Sequence, residues 1–176
     1  KSSGVQIVHL AEFHNRLGRD RRDPDKSLPL LKLLHDECAR LSEDDFLLLP
    51  GEEPNAHLGG HWISFFPRPV MWVLKRAKDK PFMEEHPEYG RVYHVGSPGE
   101  VLKLMEQENG LMWAAHPRIK SSTGYPDKYR DERFFKSEHY LGGAWKAMPA
   151  DLSRQRLGWR VLDLLDDTSN WGARKY

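Results

Sequence analysis

The sequence of 176 residues has a single cysteine, Cys38. One thiol excludes an intrachain disulfide framework and a zinc site built from several thiolates. No apolar run approaches the roughly 18 residues of a membrane-spanning helix, so no membrane association is expected. A charge excess of one sign is also lacking, because 27 Lys and Arg balance 26 Asp and Glu. Nucleic-acid-binding domains usually carry a clear basic excess, so we expect no nucleic-acid partner.

Several common catalytic motifs are missing as well. The chain has no Walker loop, no G-x-G-x-x-G and no G-x-S-x-G nucleophile elbow. Histidine is plentiful instead, with nine residues, and histidine is both the commonest metal ligand and the usual acid–base residue. The single cysteine and the lack of a visible signal peptide favour a cytoplasmic location.

Short apolar runs between Gly, Pro and polar residues predict a series of buried strands. The four clearest are Val5–Phe13, Phe46–Leu49, His61–Phe66 and Leu111–Ala115. Arg91–Val95 is a further short strand, and the apolar run Val70–Leu74 is compatible with either a strand or a helix.

Capping signals predict three helices. The first is capped by Ser27, with Pro29 in its first turn. The second begins at Ser97 in a capping box and is ended by Gly110. The third starts at Asp151. Residues 75–90 and 119–150 are predicted as loops, the second long enough to suggest a functional loop.

The alternation of strands and helices is typical of an α/β fold with a mainly parallel sheet. The length fits a single domain over residues 1–176. In parallel α/β folds, ligands collect at the carboxyl ends of strands.

Candidate metal ligands lie at four strand boundaries. Glu12 and His14 lie at the end of the first strand, Glu53 follows the second, His61 enters the third, and His116 ends the fourth. Imidazole and carboxylate without thiolate suit zinc, manganese or iron in a hydrolytic site with an open position for water. Such an ion lowers the pKa of its water to about 7. The alternative for any one of these histidines is a hydrogen-bonded structural residue, and their convergence favours ligands.

Two cations, Arg118 and Lys120, follow His116 closely. Beside a metal site they would hold a phosphate or carboxylate oxygen and act in catalysis. The alternative is an exposed basic loop.

Three motifs in this order resemble a known superfamily: VHLAEFHN (8–15), LLLPGEEPN followed by GGHW (47–62), and WAAHPRIKSS (113–122). Together they are similar to the polymerase and histidinol phosphatase (PHP) superfamily, in its CehA/McbA-like branch. The resemblance implies a distorted (β/α)7 barrel, related to the TIM barrel. It also implies two or three Zn, Mn or Fe ions that support hydrolysis of phosphoesters or related esters.

The resemblance assigns roles to individual residues. His14 matches the His of an Asp-His motif, Glu53 the bridging Glu of G-x-E, His61 the Gly-His, and His116 the His-Pro histidine. The expected Asp is replaced, and Glu12 lies two residues before His14. The opening His-x-His and closing Asp-x-His motifs are absent from the sequence, so we expect this chain to be part of a longer PHP domain.

Two functions fit these observations. The first is a metal-dependent hydrolase that cleaves a small-molecule ester or phosphoester through a metal-activated water, with Arg118 or Lys120 stabilising the developing charge. The alternative is a non-catalytic PHP-like module that binds carbohydrate or a protein partner. The six tryptophans and the missing ligand motifs favour this alternative. The sequence leaves the metal, the substrate and the oligomeric state open.

Overall fold

The computed structural model describes residues 4–11, 23–116 and 129–144. These residues form an α/β structure with eight strands and three helices, which confirms the α/β class. The strands are β1 (Ile7–Leu10), β2 (Leu47–Glu52), β3 (Trp62–Phe65), β4 (Met71–Val73), β5 (Met83–His86), β6 (Gly90–His94), β7 (Leu111–Ala115) and β8 (Tyr140–Ala144). The helices are α1 (Pro24–Leu41), α2 (Pro98–Glu108) and α3 (Arg133–Lys136).

The larger sheet has five strands in the order β1-β2-β3-β7-β8. β1 is parallel to β2 and β7 is parallel to β8, but β3 is antiparallel to both of its neighbours. The expectation of a mainly parallel sheet is therefore wrong, and the sheet is mixed. The reason is that β3 follows β2 without an intervening crossover helix, and a short connection joins antiparallel strands. Among the described strands, the sheet is open and does not close into a barrel.

The smaller sheet has three strands in the order β4-β6-β5 and lies in the connection between β3 and β7. The undecided run 70–74 contains β4, and the predicted loop 75–90 contains β5. The polar sequence MEEH of β5 does not indicate a strand. Among the described strands, β5 pairs only with β6, in the antiparallel direction. The prediction of a structureless 119–150 is wrong for residues 129–144, which hold α3 and β8.

Helix α1 begins one turn earlier than its sequence suggests. Asp23 is the N-cap, and its side chain accepts a hydrogen bond from the Asp25 N–H at 3.2 Å. Pro24 occupies the first helical position, where its missing N–H costs nothing. Ser27 therefore lies inside the helix, where its hydroxyl donates to the Asp23 carbonyl at 2.9 Å, and Pro29 is also interior.

Helix α2 confirms its predicted start. The Ser97 hydroxyl accepts from the Glu100 N–H at 3.3 Å, and Pro98 opens the helix. The C-cap is Asn109, which takes the left-handed conformation at φ 50°, so the helix ends one residue before the predicted Gly110. The helix predicted from Asp151 lies outside the described residues.

The core fills the space between the two sheets. Trp62 of β3 and Trp72 of β4 are both fully buried, with ring centroids 5.9 Å apart. Helix α1 contacts both β2 and β4, and α2 buries Val101, Leu104 and Met105. None of the helices in the described ranges combines the length and the apolar character that crossing a membrane requires.

Candidate metal centre

Three candidate ligands meet at one end of the central strands of the larger sheet. Because β3 is antiparallel to β2 and to β7, the start of β3 lies beside the ends of both neighbours. Glu53 directly follows β2, His61 directly precedes β3, and His116 directly follows β7. The Ala115 N–H donates to the His61 carbonyl at 2.9 Å and extends the β3–β7 pairing to this end. The strand directions therefore bring the three residues together.

The side-chain atoms of this group, called here the ligand cluster (Glu53, His61 and His116), lie close together. Glu53 Oε1 is 3.2 Å from His61 Nδ1 and 3.3 Å from His116 Nε2. The two imidazole centroids are 5.0 Å apart, and one ligand atom from each residue lies within 4.8 Å of the others. The three side chains are only 10–19% exposed. A carboxylate oxygen thus faces two ring nitrogens in a half-buried site.

These distances suit a shared cation. Ligand atoms about 2.1 Å from a tetrahedral zinc ion are about 3.4 Å from one another. The two separations from Glu53 Oε1, 3.2 and 3.3 Å, are close to that value. Two imidazole nitrogens and one carboxylate oxygen are also the donor set of a catalytic zinc site with three protein ligands. The residues present therefore fit a divalent metal ion.

Left-handed backbone occurs beside the cluster. His116 has φ 36° and His57 has φ 65°, and both are non-glycine residues. Such conformations cost about 1–3 kcal/mol and concentrate at functional sites. The turn at His116 follows the last paired residue of β7, so the imidazole leaves the regular side-chain alternation of the strand. His116 Nδ1 is buried and has no hydrogen-bond acceptor among the described residues.

Neighbouring Glu52 has a different environment. It is 3% exposed and pairs across the sheet with Ser64 of β3. Adjacent residues of a strand point to opposite faces, so only one of the two glutamates can reach the imidazoles. The structure brings Glu53 to the cluster, in the register of the G-x-E motif. The other candidate residues, Glu12, His14, Arg118 and Lys120, lie outside the described residues.

His9 was not singled out as a site residue from the sequence. Its ring lies over Gly51, where a Cβ atom would be only 1.6 Å from His9 Nε2. Phe65 and Trp113 contact the same ring, at centroid distances of 5.6 and 6.1 Å. Burial lowers the pKa of His9, and a hydrogen bond that the imidazole donates to the Ser64 backbone partly offsets this. His9 is therefore a partly buried imidazole on β1 whose burial favours the neutral form, and its ring covers Gly51, a glycine of β2 two residues beyond its register partner Leu49.

Comparisons of the chain with protein-family models, with curated proteins and with solved structures find no match. The ligand cluster and the sequence motifs are therefore the basis for a functional proposal.

Proposed function

We propose that this protein is a metal-dependent hydrolase that cleaves phosphoester or related ester bonds of small molecules. Its metal ligands are Glu53, His61 and His116, and the ion is zinc, manganese or iron. The observation that carries the proposal is the convergence of one carboxylate and two imidazoles from three strand boundaries within 4.8 Å. The resemblance to PHP motifs supports the same three residues.

The geometry sets the protonation state of each ligand. His61 presents Nδ1 and His116 presents Nε2 to Glu53 Oε1. Each nitrogen must be unprotonated to bind a cation, so the remaining protons belong on His61 Nε2 and His116 Nδ1. Glu53 would supply one negative charge to the bound ion.

A divalent ion held by three protein ligands keeps a position open for water and lowers that water's pKa toward neutrality. The half-buried surroundings of the cluster limit competition from bulk solvent and strengthen its electrostatics. We further propose that Arg118 or Lys120 stabilises the charge that develops on the substrate. In the complete PHP-type barrel, His14 and Glu12 would extend the ligand set toward two or three ions.

The test combines metal analysis with hydrolysis. Protein purified without chelator should contain zinc, manganese or iron and should hydrolyse an aryl phosphodiester or an aryl ester. Chelation should abolish turnover, and one of the three metals should restore it. His116→Gln should lose both metal and turnover, whereas His86→Gln, on β5, should retain both. Metal-free protein, or hydrolysis that is insensitive to chelation, would contradict the proposal.

A second function is favoured by one cavity. A space of about 290 Å³ lies beside Trp113, lined also by Leu141, Gly142 and Gly143. The two glycines carry no side chain that could cover the indole, and an open aromatic face suits a sugar ring. We therefore keep a non-catalytic carbohydrate- or partner-binding module as the alternative. Saturable glycan binding that persists in chelator, is lost in Trp113→Ala, and occurs without hydrolysis would establish it.

A further inference from the structure

Another cavity of about 290 Å³ opens on the smaller sheet, and no residue of the ligand cluster lines it. Residues 69–71 form an apolar wall. The remaining lining is polar or aromatic and consists of Arg68, Glu85, Tyr89, Arg91, Tyr93 and Glu108. Ligand pockets range from about 300 to 1,000 Å³, so this cavity suits a small molecule rather than a polymer.

The floor of the cavity is a buried carboxylate with its own donors. The Glu108 side chain is 4% exposed. Arg68 donates to Glu108 Oε2 from Nε at 3.0 Å and from Nη2 at 2.7 Å, and the Tyr93 hydroxyl donates to Oε1. Burial raises the pKa of Glu108, but the hydrogen bonds from Tyr93 and Arg68 outweigh it and lower the pKa overall. Glu108 is therefore charged and already stabilised.

Arg91 is a second cation on the same cavity, and Glu108 does not bind it closely. Besides a hydrogen bond with Tyr93, its guanidinium has two long ion pairs. Nη1 is 3.7 Å from Glu108 Oε1, and Nε is 3.6 Å from Glu85 Oε1, both beyond hydrogen-bond distance. Glu85 is 71% exposed, so water screens it. Arg68 and Arg91 thus place two positive charges on the cavity, against the buried carboxylate of Glu108 and the exposed carboxylate of Glu85.

We propose that this cavity binds a small organic oxyanion, with its carboxylate or phosphate group held by Arg91 and Arg68. Arginine forks match such planar or tetrahedral oxyanions with paired hydrogen bonds. The ring of Tyr89 and the wall formed by residues 69–71 would contact the apolar part of the ligand. The site is independent of the ligand cluster, since the two share no residue.

The test is a titration of protein freed of metal by a chelator with benzoate, phenyl phosphate and inorganic phosphate. Binding is measured by calorimetry and by changes in amide NMR chemical shifts. We expect saturable binding of an organic anion with shifts around residues 68–71 and 89–93. A preference for benzoate identifies a carboxylate ligand, and a preference for phenyl phosphate identifies a phosphate ester. Arg91→Gln should weaken binding by about tenfold to a hundredfold, the range for hydrogen bonds to charged groups.

The matched control is Arg133→Gln. Arg133 also pairs with a carboxylate of α2, Glu106 at 2.7 Å, but it does not line the cavity. This control should bind like the unchanged protein. Tyr89→Ala should weaken the binding of the organic anions and leave the binding of inorganic phosphate unaffected. Absence of binding at about 10 mM ligand, well above the millimolar range of weak complexes, would overturn the proposal. So would equal binding by Arg91→Gln, or shifts confined to the ligand cluster.

Discussion

Glu53, which directly follows β2 of the larger sheet, and Glu108, the last residue of α2, are two shielded glutamates whose partners differ in kind. Glu108 accepts hydrogen bonds from a permanently charged guanidinium and from a phenol hydroxyl, and these bonds lower its pKa. Glu53 faces two imidazoles through one oxygen atom. Arginine cannot give up its proton to bind a metal, whereas imidazole can. The first arrangement is suited to stabilising the fold and the second to binding a cation.

The difference also shows in solvent access. Arg68 and Tyr93 close over Glu108, which is 4% exposed, while Glu53 is 18% exposed. A buried ion pair must compensate its desolvation with complete hydrogen bonding. A metal site, by contrast, needs an open position that a ligand can enter. Substitutions at the two glutamates should therefore separate stability from metal binding.

The largest expected effect is that of Glu53→Gln on function. The amide keeps the size of the side chain but removes its negative charge, so metal affinity and hydrolysis should fall by about a thousandfold, equivalent to several kcal/mol of lost charge stabilisation. The melting temperature of metal-free protein should change little. Metal titration and thermal unfolding in chelator measure the two quantities.

Glu52→Gln is the adjacent control. Its side chain is buried opposite Ser64, so it should retain metal binding even where stability declines. Equal loss of metal from both variants would show that the two glutamates act together and not in the register described above.

The next effect, by size, is on stability at the smaller sheet. Arg68→Met removes two hydrogen bonds from a buried carboxylate and should lower the free energy of unfolding by about 2–3 kcal/mol, below the range for fully buried pairs because the guanidinium is 63% exposed. Metal content should be unchanged. Urea denaturation measures the loss, and a variant as stable as the parent would show that Tyr93 alone satisfies Glu108.

The smallest effect is on the pH dependence of stability, to which His9 and Glu108 contribute in different pH ranges. Burial lowers the pKa of His9 below 6.5, so unfolding takes up a proton and stability declines as pH falls below about 6.5 toward the pKa of the folded state. The pKa of Glu108 is lowered from 4.5, so its contribution is lost only as pH falls below about 4.5.

His9→Gln should therefore flatten the pH–stability curve below about pH 6.5. His35, whose pKa is also lowered by burial, keeps a residual slope there. Denaturation of metal-free protein across this range measures the change. An unchanged slope would mean that His9 has the same pKa in the folded and the unfolded protein.

The strand boundaries named the three members of the ligand cluster as candidates, but their convergence depends on the antiparallel direction of β3, which the sequence did not predict. Glu53, His61 and His116 each adjoin a short apolar run, and such runs are strong signals of buried strands. The capping box at Ser97 was equally readable, because its hydrogen bonds are local. Whether the cluster holds a metal is still a prediction.

Features that depend on hydrogen bonding between distant parts of the chain could not be predicted from the sequence. The Met83–His86 strand has a loop-like composition and owes its conformation to hydrogen bonds with β6. Tyr140–Ala144 contains two glycines and becomes a strand only beside β7. The alternation of strands and helices likewise does not determine whether neighbouring strands are parallel or antiparallel. The role of His9 could not be predicted from the sequence, because its ring lies over Gly51 only when β1 and β2 are paired.

The connection between β3 and β7 has an evolutionary consequence. Phe65 and Leu111, the residues that leave and rejoin the larger sheet, are direct cross-strand partners. Everything between them, including the smaller sheet and α2, is thus inserted at one point of an antiparallel pair. A hairpin turn of a few residues could bridge that point without changing the pairing of β3 with β7. The loops of the smaller sheet and of α2 can therefore lengthen while the strand ends that carry Glu53, His61 and His116 keep their order, and only the shared core, where Trp72 packs on Trp62, must change in step.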